Sequence, residues 1–296
     1  MGEVKDVISD ADYSIVNFEC PVTKGGEKPI EKCGPNLQCS EKGMEAAHGR
    51  YCWFVDSDDI IAENAFDCLI PLLRTTNKDG IKMGAAIKDV LYNDSFVGNS
   101  IYHPVITENT SVSSTSIFEF AHGHQSILFS KKIIEENRIR YPENIHINED
   151  MYFIARFLIN SKCFLVNTTI RFYIYRNVEQ SLSRGKLKSF AHFDKMNRYR
   201  IEILQMMVKE RERLVNEEAN KGLSIYIDRI LETILNSILF SGQPFWIIMY
   251  YLKRLKAINT FPATSICKSC KFKIVYSNSF FYILTSQLIR IKKVFS

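Results

Sequence analysis

Residues 241–296 contain no aspartate or glutamate against nine lysines and arginines. Residues 1–240 therefore hold 29 of the 38 basic and all 33 acidic side chains, a net of −4, so the overall charge of +5 hides a strong asymmetry. Long hydrophobic runs are also missing: nothing reaches the roughly 18–20 apolar residues that a membrane-spanning helix needs. The amino terminus is polar and acidic within its first ten residues, so the expectation from these residues is no secretory signal peptide. There is no internal repeat and no low-complexity tract. Eight cysteines are present, but only Cys267 and Cys270 have a C-x-x-C spacing, and a single such pair lacks the second pair of a structural zinc site. Free thiols in a cytoplasmic protein are the plain account. Apolar content of 46% and charged content of 24% are ordinary for a globular chain, long enough at 296 residues for one large α/β domain and an appendage.

What is present centres on Tyr51-Cys52-Trp53-Phe54-Val55-Asp56-Ser57-Asp58-Asp59. A short apolar run bounded by polar residues reads as a buried strand. One that ends in clustered Asp places oxygen acceptors at a sheet edge, where open α/β folds bind ligands. Such hard oxygens suit magnesium or manganese. The same wording also fits a strand followed by an Asp-rich helix cap, because Asp59-Ile60-Ile61 reads as the opening of a helix. From Ile61, the residues Ala65, Phe66, Leu69, Ile70 and Leu73 recur at three- and four-residue steps and paint one face. Acidic residues precede this helix and Arg74 closes it, as the macrodipole favours. A second carboxylate pair, Glu149-Asp150, follows Asn148 and itself fits a helix start. His122, His124 and Gln125 precede the strand-like Ser126-Ile127-Leu128-Phe129, and Tyr173-Ile174-Tyr175-Arg176 alternates as an edge strand would.

The wording from residue 46 to about 184 resembles family 2 glycosyltransferases, inverting enzymes of the GT-A (Rossmann-like) fold. The resemblance rests on Trp53-Phe54-Val55-Asp56-Ser57-Asp58-Asp59, on Asn148-Glu149-Asp150, and on the ending Tyr173-x-Tyr175-Arg176 with Ser181-x-Ser183. It implies that Asp56 and Asp58 hold a divalent manganese or magnesium ion against the diphosphate of a nucleotide-sugar, most simply a UDP-sugar. It implies that Asp150 is the base that deprotonates an acceptor hydroxyl, that Arg176 touches phosphate, and that the His122–Gln125 region faces the acceptor. The acceptor class would be a saccharide or lipid-linked sugar of cell-surface or capsular polysaccharide. The family's opening strand, its Tyr-containing turn and its first acidic strand end, which seat the nucleotide base, have no counterpart in residues 1–55. The expectation is thus a partial GT-A domain, with a non-catalytic remnant as the alternative.

Residues 1–44 resemble a fragment of CapA-like capsule-synthesis proteins, through Asp10-Ala11-Asp12, Asn17-x-Glu19-x-Pro21-x-Thr23 and Lys32-x-Gly34-Pro35-Asn36. The domain expectation is a CapA-like fragment at 1–45, a partial glycosyltransferase domain at 46–185, and a helical, basic extension at 186–296. Within the extension, Ile227, Ile230, Leu231, Ile234, Leu235 and Ile238 describe a buried helix, which Gly242 and Pro244 punctuate. Phe245–Leu252 followed by Lys253-Arg254-Leu255-Lys256 suits peripheral contact with an anionic membrane face, and equally suits helices packed on a domain with their charges solvated. No recognisable nucleic-acid module accompanies this basic segment.

Overall fold

The computed structural model describes residues 49–56, 59–62, 65–89, 109–121, 123–177, 189–263 and 270–295. The CapA-like stretch at 1–45, His122, Asp58, the Ser181-x-Ser183 ending and Cys267 lie outside these residues. The chain divides into two compact units, with the change between Lys186 and Leu187 and with residues 146–148 belonging to the second.

The first unit is built on a mixed sheet. Its strands are β1 (Tyr51–Trp53), β2 (Ile60–Ile61), β3 (Gly80–Asp89), β4 (Thr110–Ser113), β5 (Ile127–Ser130) and β6 (Cys163–Asn177). The order is β1-β5-β3-β6-β2, and β4 also pairs with β6. The β3–β6 pairing is parallel and the others are antiparallel. Strand alternation sends Trp53 and Val55 to one face and Cys52 and Phe54 to the other. On the first face, helix α1 (Ala65–Thr75) lays Ala65 and Leu69 against Trp53, Val55, Ile81, Met83, Leu128 and Tyr173. The second face is aromatic. Phe54 meets Phe153 at 5.1 Å and Phe129 meets Phe157 at 4.9 Å, both edge-on, which fixes helix α4 (Glu149–Ile159) there. Two short helices, α2 (Ser114–Ile117) and α3 (Lys131–Glu136), complete the unit.

One expectation is corrected here. Ile60 and Ile61 do not open a helix; they form β2, in antiparallel register with Ile174 and Tyr173 of β6. β-branched residues fit that ladder well, and the tertiary pairing overrides the local helix signal. The helix begins at Ala65, whose amide donates to the Ala62 carbonyl at 3.0 Å. The Asp59 carboxylate accepts the Tyr173 hydroxyl of β6.

At Gly80 the β3–β6 contact leaves no room for a side chain. A Cβ there would stand 2.3 Å from Cε1 of Phe164, a ring that is fully buried against Phe157. Overpacking of this kind costs about 1–3 kcal/mol. Gly80→Ala is expected to lower unfolding free energy by about that amount in a urea titration, and Phe164→Leu in the same chain should return much of it. An unchanged midpoint in the single variant would contradict the close approach.

The second unit is helical: α5 (Phe190–Arg213), α6 (Glu217–Leu239), α7 (Phe245–Ala257), α8 (Cys270–Ser277) and α9 (Ser279–Phe295). Asn216 caps α6 by accepting from the Glu218 and Ala219 amides at 2.9 and 3.1 Å. Ile227, Ile230, Leu231, Ile234, Leu235 and Ile238 are all buried, as their spacing anticipates. Two tyrosine hydroxyls tie the helices together: Tyr251 donates to Asp194 at 2.6 Å and Tyr276 to Asn236 at 2.7 Å. Among the described residues, no helix is long and apolar enough to cross a membrane.

Candidate functional site

The register of β1 on β5 builds the site. Trp53 lies opposite Leu128, so continuing the antiparallel count by three brings Asp56 opposite Gln125. The side chains meet there. Gln125 Nε2 donates to Asp56 Oδ2 at 2.6 Å, and His124 Nε2 stands 3.8 Å from Asp56 Oδ1. His124, Gln125 and Ser126 form a single 3₁₀ turn. That turn is pinned from two sides. Trp53 Nε1 donates to the Gln125 carbonyl at 2.6 Å, and Lys82 Nζ donates to Ser126 Oγ at 2.9 Å and to the Met83 carbonyl at 2.7 Å. Lys82 is fully buried, and burial pushes its pKa down to about 7.

Behind His124 stand the first two residues of α4. Burial on its own would hold the imidazole neutral, but the facing Asp56 carboxylate and the charges of Asp150 and Glu149 prevail and raise its pKa. Burial raises the Asp150 carboxyl, while His124 and a 2.8 Å hydrogen bond from the Met151 amide pull it the other way. Burial and repulsion from Asp150 push Glu149 up to about 7. Tyr141 closes this side, stacked on Phe153 at 4.4 Å and edge-on to His124 at 5.9 Å. Burial, then the charges of Asp150, Asp56 and Glu149, hold its phenol well above the ordinary range, so it stays neutral. Among the described residues, His124 Nδ1 and the Tyr141 hydroxyl are both buried without a hydrogen-bond partner. Such atoms are satisfied best by a polar ligand group.

Asp56, His124, Glu149 and Asp150 are thus brought together. Arg176 sits in β6 in register with Lys88 of β3. His124 and Gln125, in the region that the resemblance turns toward the acceptor, bear on the Asp56 carboxylate itself. Lys82 and Tyr141 had no signal of their own: the first is one of two lysines in a mostly apolar strand, the other a Tyr before Pro142.

Among the described residues no group of three or more His, Cys, Asp or Glu is gathered as a metal cage. Magnesium and manganese do not need one, since they are held by one or two carboxylates together with substrate phosphates and water. The Asp56 carboxylate at a strand end, a hard oxygen donor, fits that kind of ion.

No protein-family model matches the chain. The chain is 27% identical over 162 residues to poly(ribitol-phosphate) beta-N-acetylglucosaminyltransferase TarP of Staphylococcus aureus (strain N315), a match over 52% of this chain and 47% of TarP. It therefore spans about half the length of that relative. Among solved structures, S. aureus TarS 1–349 in complex with UDP-GlcNAc superposes with a TM-score of 0.62 at 15% identity, over 87% of this chain and 73% of that one. TarS 1–349 in complex with UDP gives a TM-score of 0.59 at 17% identity, over 87% and 74%. These likenesses establish the fold: an α/β sheet unit followed by a helical carboxy-terminal region, as the sequence anticipates.

Proposed function

We propose that this chain is a metal-dependent, inverting GT-A glycosyltransferase of the family 2 type, moving a sugar from a UDP-sugar to a cell-surface polymer. The observation that carries the reading is the meeting of Asp56 with His124, Glu149 and Asp150 at one end of β1, in a fold shared with a protein solved with UDP-GlcNAc. The similarity to TarP favours N-acetylglucosamine as the sugar and a polyol-phosphate polymer as the acceptor. UDP-sugars are cytoplasmic metabolites, so the reading places the chain on the cytoplasmic side of the cell membrane.

Each residue has a task in that reaction. Asp150 takes the proton of an acceptor hydroxyl as its oxygen attacks the anomeric carbon. The bond from that carbon to the diphosphate breaks on the opposite face, UDP departs, and the configuration inverts. A divalent ion held by Asp56 and Asp58 would supply positive charge to the departing diphosphate. Gln125 and His124 hold the Asp56 carboxylate in place, and Arg176 at the end of β6 contacts phosphate. Tyr141, neutral and stacked on Phe153, sets its ring edge-on against His124 beside the base.

The reading is tested by incubating the full chain with a panel of UDP-sugars, manganese, and a poly(ribitol-phosphate) acceptor, and measuring UDP release and sugar incorporation. Acceptor-dependent release of UDP from UDP-GlcNAc above the other donors is the expected result. Consumption of no donor by folded protein would overturn it and favour the remnant.

A further inference from the structure

The helical unit carries an apolar surface that its own core does not use. On α7, Ile248, Tyr251, Leu252 and Leu255 are buried, while Phe245, Trp246, Met249 and Tyr250 are exposed. The exposed four stand at steps of one, three and one, so they share one face of the helix. On α9, which packs against α7, Tyr282 and Ser286 are buried while Phe280, Leu284, Leu288 and Ile291 are exposed. Their spacing of four, four and three is again one face. Trp246 is 59% exposed and Phe280 69% exposed, values far from those of side chains packed inside a unit. Two neighbouring helices with outward apolar stripes form the kind of surface that proteins cover with a partner.

The charge around these stripes says what the partner is. Lys253 and Lys256 are exposed on α7 and Lys292 on α9, and Arg254 stands 5.9 Å over the Tyr250 ring. Residues 241–296 hold nine basic side chains and no acidic one. A second copy of this surface would meet it with like charge. Trp, Tyr and Phe beside Lys and Arg match the boundary of a bilayer, where rings enter the headgroup layer and cations meet lipid phosphate. Neither helix can cross the bilayer, so both lie along it.

We propose that the outward faces of α7 and α9 form a docking surface for an anionic phospholipid bilayer. This surface stands whatever the sheet unit catalyses, and its test does not depend on catalysis. The full chain is sedimented with vesicles of phosphatidylcholine alone, and of phosphatidylcholine mixed with phosphatidylglycerol. Binding to the anionic vesicles, weakened by salt, is expected. Lys253→Gln with Lys256→Gln should lower the partition coefficient roughly 25-fold, at about fivefold per lost charge. Trp246→Ser with Phe280→Ser should lower it at least about tenfold through the apolar contact. All four positions are exposed, so circular dichroism should remain that of the parent chain. Absence of binding to both vesicle types would overturn the proposal. So would concentration-dependent self-association in sedimentation velocity that Trp246→Ser with Phe280→Ser abolishes, because a second copy would then own the surface.

Discussion

Asp150→Asn lowers the turnover of sugar transfer by about a hundred- to ten-thousand-fold, the range for loss of a positioned base, with little change in donor affinity. Asparagine keeps the size and the contact with the Met151 amide but cannot take a proton. The pH profile separates this from a structural effect. Burial raises the Asp150 carboxyl above its ordinary value, and a base must be deprotonated to act. Activity of the parent chain is therefore lost as pH falls through that raised pKa, and Asp150→Asn flattens this acid limb. Glu149 is the control. Its carboxyl is pushed up to about 7, so it carries only a part charge at neutral pH, and Glu149→Gln should keep turnover within roughly tenfold of the parent. Loss of the acid limb in Glu149→Gln instead of Asp150→Asn would exchange their roles.

Asp56→Ala has the second large effect. It removes one carboxylate of the proposed metal site and the partner of both Gln125 Nε2 and His124 Nε2. Metal-dependent turnover should fall on the order of a hundredfold or more, since even outer-shell losses at metal sites cost 10- to 100-fold. A readout without catalysis accompanies it. The Asp56 carboxylate is the main group that raises His124 against the effect of burial, so the imidazole should titrate at lower pH in Asp56→Ala, as followed by proton NMR. An unmoved His124 would mean that the 124–126 turn does not bear on Asp56 in solution.

The helical half was the more legible part of this chain. The apolar spacing of Ile227 to Ile238 fixed a buried face because helix periodicity is local. Strand Tyr51–Trp53 was legible from its aromatic residues and polar bounds, which decide for a strand where a short apolar run alone does not. Ile60–Ile61 was misread as helical because its partners, Ile174 and Tyr173, lie more than a hundred residues away. The site shows the same limit. The pairing of Asp56 with Gln125 follows from a strand register, and nothing near either residue announces it. Lys82 is the extreme case: one of two lysines in β3, it reads as a solvent-facing residue until the turn it holds is in view. Resemblance supplied Asp150, whereas the residues alone gave only an acidic helix start.

The most direct measurement is calorimetric titration of UDP into the folded full chain, with and without manganese, beside Asp58→Ala. Manganese-dependent binding that is lost in Asp58→Ala is the predicted result, and it would place the nucleotide diphosphate at the Asp56–Asp58 end of β1. Absence of UDP binding by folded protein, or binding that ignores both manganese and Asp58, would contradict the glycosyltransferase account.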